Sequence, residues 1–201
     1  MSISLVKGQK IDLTKGNSGL SKIMVGLGWD AVDTKSGGLK GLFGAKPAEV
    51  DCDASVIMLD ENNKLPSKKE LIYFGNLKGA DNSVVHQGDN LTGDGDGDDE
   101  MIMVDLSKVP ASLKKLIFVV NIYDCAKRKQ DFGMIQNAFI RVVDLNGKKE
   151  MLKFNLTNDY AGKTSIVVGE IYRDSSNEWK FSAVGEGTND KSLKEIVAKY
   201  K

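Results

Sequence analysis

The stretch with the clearest chemical character is residues 88–100, which read GDNLTGDGDGDDE. Six of these thirteen residues are acidic, four are glycine and none is Lys or Arg. The whole chain has 28 acidic and 28 basic residues, so this excess of negative charge is local. Carboxylates held this close repel one another unless water or cations screen them. The acidic residues are Asp89, Asp94, Asp96, Asp98, Asp99 and Glu100.

Hard divalent cations suit this combination of side chains. Calcium takes about 6–8 oxygen ligands in irregular geometry, and Asn90, Thr92 and backbone carbonyls add neutral oxygens to the carboxylates. Glycines permit the tight backbone path that turns several carbonyls toward one ion. The stretch therefore predicts a calcium-binding loop over 88–100. Six carboxylates exceed what one calcium needs, which favours two neighbouring ions; the alternative is a solvated acidic loop that aids solubility.

The spacing matches neither of two familiar calcium loops. An EF-hand has Gly at its sixth position and Glu at its twelfth, but counting from Asp94 these are Asp99 and Asp105. The nonapeptide calcium repeat needs stacked copies, and the sequence contains one. Any ion must therefore be held by geometry specific to this fold.

Two acidic residues outside the loop are candidate ligands. The segment DCDAS places Asp51, Asp53 and Ser55 on one face of a strand, just before an apolar run. The segment GLGWD places Asp30 at the exit of another apolar strand. Because loops at one end of a sandwich can converge, we predict that Asp30 and Asp53 complete the metal site. A turn or surface role is the alternative for each.

The histidine and cysteine residues do not suggest a zinc or thiol site. His86, the only histidine, lies beside two valines and is predicted to be a strand residue rather than a ligand or catalytic base. Cys52 and Cys125 lie in apolar stretches without CxxC spacing, which predicts buried thiols. Since the sequence also lacks a P-loop, a dinucleotide motif and paired histidines, we predict that the protein is not an enzyme.

The elements that position these residues are predicted to be strands. Short apolar segments rich in Val, Ile, Phe and Tyr are separated by Gly, Asn and Asp. Turn signals at 60–64 and 144–149 suit antiparallel hairpins. We predict an all-β fold, a β-sandwich of two mainly antiparallel sheets, as a single domain over residues 1–201. The predicted strands are 3–7, 22–29, 53–59, 71–75, 83–87, 100–106, 116–123, 137–144, 150–156, 165–174 and 178–185.

Two helices are predicted to accompany the strands. Residues 107–115 form a short mid-chain helix with Pro110 in its first turn. The C-terminal segment 191–201 forms a helix capped by Asn189 or Asp190 and packed on the sandwich. Its apolar face consists of Leu193, Ile196, Val197 and Tyr200.

Composition narrows the classes of function and location. Zero net charge argues against a general nucleic-acid binder. The N-terminus lacks the apolar core of a signal peptide, and no apolar run approaches the roughly 18 residues that cross a bilayer. We therefore expect a cytoplasmic protein without an integral membrane segment. The glycine-rich residues 34–50 are predicted to form a flexible loop rather than a binding loop.

Taken together, these stretches resemble the tellurium-resistance TerD family of bacterial stress proteins. The resemblance covers nearly the whole chain, and GDNLTGDGDGDDE is its most specific part. The opening ISLVKGQKIDLTK resembles the first hairpin of the family. Two departures are Cys52, where a larger apolar residue is common, and Asp94, where Glu is frequent; neither threatens an oxygen-ligand site. The other matching segments, in family order, are VGLGWD, DCDAS, VVNIYD, NAFIRVVD and GEIYRDSSNEWKFSAVGEG.

The resemblance implies a β-sandwich that binds calcium through the acidic loop and nearby Asp residues. It also implies a link to tellurite and other stress resistance, to phage or colicin tolerance, and to membrane proteins of the same operons. The predicted function is a non-enzymatic calcium-binding module whose ordered loops contact other stress or tellurium-resistance proteins. Two alternatives stay open: a metal-dependent phosphate-ester hydrolase, in which carboxylates hold two metals, and a calcium-dependent membrane-docking module.

Overall fold

The computed structural model describes residues 2–17, 19–31, 50–88, 97–156 and 160–201. Most of these residues lie in strands. The strands are β1 (Ile3–Leu5), β2 (Lys10–Asp12), β3 (Lys22–Ala31), β4 (Cys52–Asp60), β5 (Leu71–Ile72), β6 (Val84–His86), β7 (Glu100–Asp105), β8 (Leu113–Ile122), β9 (Ile135–Asp144), β10 (Lys149–Asn155), β11 (Ser165–Arg173) and β12 (Trp179–Thr188). The helices are α1 (Cys125–Arg128) and α2 (Leu193–Ala198), with single 3₁₀ turns at Lys68–Glu70 and Phe132–Met134.

The strands form two six-stranded sheets that pack as a sandwich. Sheet A has the order β1-β10-β9-β3-β7-β6, and sheet B has the order β2-β12-β11-β8-β4-β5. Among the described strand pairs only β1 with β10 is parallel. The predicted all-β sandwich is therefore confirmed, and every predicted strand corresponds to an observed one.

Alternation along β4 shows how the sequence selects its two faces. Cys52, Ala54, Val56 and Met58 belong to the main core between the sheets. Ile57 and Leu59 belong to a second apolar cluster on the outer face of sheet B. Side chains alternate between the two faces of a strand, so Asp53 and Ser55 share that outer face. The predicted common face of Asp53 and Ser55 is thus present.

Helix α2 covers the apolar part of the outer face of sheet B. Ile196 and Val197 are buried there against residues of β4 and β8, and Leu193 and Tyr200 pack at the margin. This arrangement confirms the predicted apolar face. It also makes α2 part of a second, smaller core rather than a free surface helix.

The start of α2 differs from the prediction. The Ser192 hydroxyl accepts the N–H of Glu195 at 3.3 Å, and the Glu195 carboxylate accepts the N–H of Lys191 at 2.8 Å. This reciprocal arrangement resembles a capping box. Ser192 is therefore the cap, and the prediction of Asn189 or Asp190 was wrong by two or three residues.

The predicted helix at 107–115 is also wrong. Turns occupy this segment, with the N–H of Lys108 bonded to the carbonyl of Asp105 and that of Leu113 to Pro110. Strand β8 then begins at Leu113 and pairs with both β4 and β11. Pairing with β4 from Leu113 and with β11 from Lys115 satisfies the backbone, and this tertiary gain overrides the predicted local helix. The short mid-chain helix is instead α1.

The two strands of the opening segment do not form a hairpin with each other, which corrects the expectation from the resemblance. Strand β1 pairs with β10 in sheet A, while β2 pairs with β12 in sheet B. Between them Gly8 adopts a positive φ of 85°, and its N–H donates to the carbonyl of Ala183. The N-terminal segment therefore crosses from one sheet to the other.

Truncation of the buried face of α2 tests the second core. We expect Ile196→Ala to lower the free energy of unfolding by about 2–5 kcal/mol, because it opens a cavity between the helix and sheet B. The measurement is urea unfolding. Lys194→Ala, on the exposed face of the same helix, is the matched control and should change stability by about 0.5 kcal/mol or less. Equal effects of the two variants would contradict the packing described here.

Candidate metal site

One end of the sandwich brings together the acidic residues of three strands. The N–H of Trp29 donates to Asp99 Oδ2 at 2.7 Å, and the N–H of Asp99 donates to the carbonyl of Leu27 at 2.8 Å. These two bonds attach the residues before β7 to the C-terminal part of β3. The N-terminal end of β4 lies at the same end of the molecule, because Glu100 of β7 contacts Ala54.

Glu100 and His86 bond to the backbone of Ala54, which no described neighbouring strand of sheet B covers on that side. Strand β5 pairs with β4 only at Val56 and Ile57, so it does not reach Ala54. Instead Glu100 Oε2 accepts the N–H of Ala54 at 2.7 Å, and His86 Nε2 lies 3.2 Å from the carbonyl of Ala54. Both side chains are about 2% exposed. Two side chains of sheet A thus replace a neighbouring strand of sheet B.

The hydrogen bonds of His86 define its protonation state. The N–H of Gly88 donates to Nδ1 at 3.1 Å, so Nδ1 is an acceptor. The tautomer that fits this bond carries its proton on Nε2, which lies 3.3 Å from Glu100 Oε2 and within reach of the carbonyl of Ala54. The imidazole is therefore neutral and held by structural bonds. His86 is a buried strand residue, as the sequence indicated.

The electrostatics of Cys52 show that several carboxylates share one neighbourhood. Burial raises the pKa of the Cys52 thiol well above its usual value, and nearby negative charges raise it further. The thiol is therefore protonated at neutral pH, as expected for a buried structural cysteine. The carboxylates that raise this pKa are those of Asp53, Asp51, Glu100 and Asp99.

Asp53 lies on the outer face of sheet B opposite an asparagine that we did not single out from the sequence. Asp53 and Asn121 are register partners on β4 and β8. Each is about 5% exposed. Asn121 Nδ2 is 3.5 Å from Asp53 Oδ2, at the long limit of a hydrogen bond. In the sequence, Asn121 stands out only as the single amide near the end of the apolar run LIFVVNIY.

Asn121 also has a buried oxygen that accepts no hydrogen bond from the described part of the chain. Its Oδ1 has no hydrogen-bond partner among the residues that the structure describes, and the same holds for the hydroxyl of Ser55 on the same face. A buried polar atom without a partner is unusual, because it loses water and gains nothing. Carboxylate and amide oxygens are both among the ligands that calcium takes, so the types of side chain present suit this ion.

Asp98 has a different environment from the other acids. Arg141 Nε and Nη2 donate to its two carboxylate oxygens at 2.7 and 2.8 Å, and its side chain is only 4% exposed. The hydrogen bond to Asp98 raises the pKa of Arg141 above its usual value. Arg141 also donates to Glu150 at 3.2 Å. The sequence analysis missed Arg141, although a lone basic residue in the apolar strand NAFIRVVD was its signal.

Two glycines of β3 make room for the chain at residues 97–98. A Cβ on Gly26 would overlap the carboxylate of Asp98, and a Cβ on Gly28 would overlap the ring of Phe139 and the carbonyl of Gly97. The glycines of VGLGWD therefore let this segment lie directly on the outer face of sheet A. Asp98 can then reach Arg141, whose register partner on β3 is Gly26.

Asp30, predicted as a ligand, is exposed at the end of β3 and accepts a hydrogen bond from Asn137 Nδ2 at 2.7 Å. Within the described ranges, no three His, Cys, Asp or Glu side chains are grouped to hold a metal ion. The remaining predicted ligands lie outside the described residues, as does most of the predicted loop at 34–50. These ligands are Asp89, Asn90, Thr92, Asp94 and Asp96.

Comparison with known proteins identifies the class to which this chain belongs. Residues 1–200 match the TerD domain, so the chain is a member of the TerD domain family. It is 64% identical over 200 residues to stress response protein SCP2 of Bacillus subtilis (strain 168), covering all of both chains. It is 41% identical over 200 residues to tellurium resistance protein TerD of Serratia marcescens, covering 100% of this chain and 97% of that protein.

A second Bacillus relative and a solved structure agree with this membership. General stress protein 16U of Bacillus subtilis (strain 168) is 46% identical over 187 residues, 93% of this chain and 91% of that protein. The crystal structure of a telluride resistance protein (TerD) homologue from Streptomyces coelicolor A3(2) superposes with a TM-score of 0.68. That superposition covers 90% of this chain and 98% of the other at 18% identity, so it supports the fold alone.

Addition of one methyl group tests the seating of Asp98 on sheet A. We expect Gly26→Ala to lower the free energy of unfolding by about 1–3 kcal/mol, because the new Cβ displaces the carboxylate from Arg141. Thermal and urea unfolding measure this effect. Gly19→Ala is the control, since its Cβ meets nothing within 4 Å. A Gly26→Ala protein as stable as the control would show that Asp98 does not lie over β3.

Proposed function

We propose that this chain is a non-enzymatic, calcium-binding stress-response protein of the cytoplasm. The observation that carries the proposal is the pairing of Asp53 with Asn121, whose Oδ1 is buried without a donor among the described residues. This oxygen lies at the end of the sandwich where three further carboxylates raise the pKa of Cys52. A bound cation would satisfy the oxygen and offset the repulsion among the carboxylates.

Two of the nearby carboxylates are held in place by backbone groups. Asp99 Oδ2 accepts the N–H of Trp29, and Glu100 Oε2 accepts the N–H of Ala54. Ligating carboxylates are commonly oriented by such hydrogen bonds, because a fixed ligand loses less entropy when the ion binds. No three described His, Cys, Asp or Glu side chains form a metal site by themselves. We therefore expect Asp53, Asp99, Glu100 and Asn121 to contribute to calcium binding only in combination with the predicted ligands of 89–96.

Asp98 is expected to position the loop rather than to bind the ion by itself. Both of its oxygens are engaged by Arg141, which fixes the chain immediately before Asp99 and Glu100. Such a bidentate ion pair is directional and resists rotation of the carboxylate. Asp98 would thus set where the following two carboxylates point.

When bound, calcium would supply positive charge at this end of the sandwich. The residues of the chain would then hold the neighbouring loops in one arrangement and offer a surface to protein partners. We expect those partners to be other stress or tellurium-resistance proteins, because the relatives carry these names. A membrane protein among them is an expectation from the family resemblance. None of the helices in the described part of the chain has the length and apolar composition to span a membrane.

The described geometry favours binding over catalysis. The only histidine has both ring nitrogens committed to backbone or carboxylate partners. Burial keeps the Cys52 thiol protonated, which removes its nucleophilic form. These two residues would be the first candidates for a base and a nucleophile, and both have structural environments.

Removal and return of metal test the proposal directly. Chelator-stripped protein should gain about 2.7 kcal/mol of stability when calcium is a hundredfold above its dissociation constant, because the ion binds only the folded state. Thermal unfolding with calcium, with magnesium and with neither ion measures this gain. An equal shift with magnesium would favour the hydrolase alternative. Identical unfolding in all three conditions would remove the proposed site.

Replacement of Asn121 separates a ligand from a structural side chain. We expect Asn121→Leu to change the stability of the metal-free protein by only about 1 kcal/mol, because it removes a buried oxygen that has no donor among the described residues but also the long hydrogen bond to Asp53. Calcium affinity should nevertheless fall about tenfold or more. Calorimetric titration and urea unfolding supply the two readouts.

The matched control for Asn121→Leu is Ser83→Ala. The hydroxyl of Ser83 is also buried without a partner among the described residues, but it lies beside Asp105 at the other end of β7. Ser83→Ala should also change metal-free stability little, and it should leave calcium affinity unchanged. Loss of stability without loss of affinity in Asn121→Leu would assign Asn121 a structural role.

A further inference from the structure

An exposed aromatic pair lies beside the acidic end of the sandwich. Phe74 and Tyr123 are 45% and 46% exposed, and their rings meet edge to face with centroids 6.4 Å apart. Phe74 follows β5, and Tyr123 follows β8, where its N–H donates to the carbonyl of Asp51. The proposed ligands Asp53 and Asn121 occupy the adjoining register positions of β4 and β8.

Three consecutive basic residues border this pair. Arg128 lies over the ring of Tyr123 at 5.3 Å and reaches Asp51 at 3.3 Å. Lys127 is 83% exposed and makes only a 3.7 Å surface pair with Asp124, and Lys129 is exposed beyond α1. Surface pairs of this kind contribute little to stability, so Lys127 keeps most of its freedom to meet another anion. We define the aromatic–basic patch as Phe74, Tyr123, Lys127, Arg128 and Lys129.

We propose that the aromatic–basic patch docks this protein on an anionic lipid surface, and that docking requires calcium at the adjoining acidic end. The inference rests on the proposed calcium site and names a partner for it. Aromatic rings favour the boundary between lipid headgroups and hydrocarbon, and neighbouring Lys and Arg side chains are attracted by anionic headgroups.

The calcium requirement follows from the charge around the patch. Without a cation, Asp51 and Asp124 pair with Arg128 and Lys127. The carboxylates of Asp53, Asp99 and Glu100 share the neighbourhood of Asp51 around Cys52 and add further negative charge. This charge repels a surface of the same sign. Neutralisation of the acidic end leaves three basic residues against Asp124, so the patch keeps an excess of positive charge.

A lipid surface fits the patch better than a nucleic acid does. Base-stacking proteins present aromatic side chains along a basic groove that follows a strand. Here the two aromatic side chains form one edge-to-face pair, and Arg128 covers the ring of Tyr123. Two such side chains can enter a headgroup layer together. A nucleic-acid base cannot stack between them, because the two rings meet edge to face.

Co-sedimentation with vesicles tests the inference. The full chain is mixed with vesicles of phosphatidylcholine alone, or of equal parts phosphatidylcholine and phosphatidylserine, in calcium or in chelator. We expect pelleting only with phosphatidylserine and calcium together. Phe74→Ser/Tyr123→Ser should weaken the partition coefficient about tenfold or more, because both exposed rings are removed.

The control variant is Val6→Ser/Leu145→Ser, which removes two exposed apolar side chains away from the patch. It should pellet like the unchanged protein. A Phe74→Trp variant adds a spectroscopic readout: its emission should shift to the blue when vesicles are added at constant calcium. The unchanged protein, with the buried Trp29 and Trp179, supplies the background under the same conditions. Pelleting in chelator, an unaffected serine double variant, or binding of single-stranded DNA by the patch in place of vesicles would overturn the inference.

Calorimetric titration of calcium without vesicles separates the two proposals. If calcium binds but the protein stays in the supernatant with phosphatidylserine vesicles, the metal site stands and the docking surface is wrong. If calcium does not bind at all, the proposed function fails first and docking fails with it.

Discussion

The acidic end of this protein depends on the backbone of one residue, Ala54. Strand β5 is too short to cover it, so its N–H and carbonyl would be buried without partners. Glu100 and His86 supply those partners from the opposite sheet. An unsatisfied buried backbone group costs about 1–3 kcal/mol, so these two bonds contribute directly to holding the sheets together. They also fix both ends of the acidic segment, because His86 precedes it and Glu100 closes it.

The acidic residues therefore have distinct tasks despite their similar chemistry. Glu100 links the sheets, and Asp98 pairs with Arg141 over the two glycines of β3. Asp99 is oriented by the backbone of Trp29, and Asp53 faces an asparagine oxygen on the outer face of sheet B. Clustered carboxylates usually destabilise a fold, yet here three of them accept hydrogen bonds that fix their position. The repulsion that remains is what a bound cation would relieve.

The strands were predictable because their apolar residues alternate and their turns carry Gly, Asn and Asp. Local patterns failed where long-range pairing decided the outcome. Residues 107–115 were predicted to be a short helix, but the chain pairs with β4 from Leu113 and with β11 from Lys115. The family resemblance suggested a hairpin for the opening segment, but its two strands joined different sheets.

The chemical type of the site could be predicted from the sequence, but two of its residues could not. The acidic residues indicated the chemistry, and Asp53 lies where the alternation of β4 placed it. Asn121 and Arg141 escaped notice because a single polar residue in an apolar strand shows neither its partner nor its face. Their importance follows from register across the sheet, which pairs Asn121 with Asp53 and Arg141 with Gly26. Sequence periodicity contains no information about that register.

The placement of the first two strands delays their pairing while the chain is synthesised. Strand β1 can pair only after β10 exists, and β2 only after β12, which ends at Thr188. A chain emerging from the ribosome therefore holds its N-terminal strands without partners until nearly all of it has been synthesised. Such distant pairings slow folding and leave strand edges open in the meantime. For a protein of this family, the interval between synthesis and closure of the sandwich is when it is most exposed to aggregation.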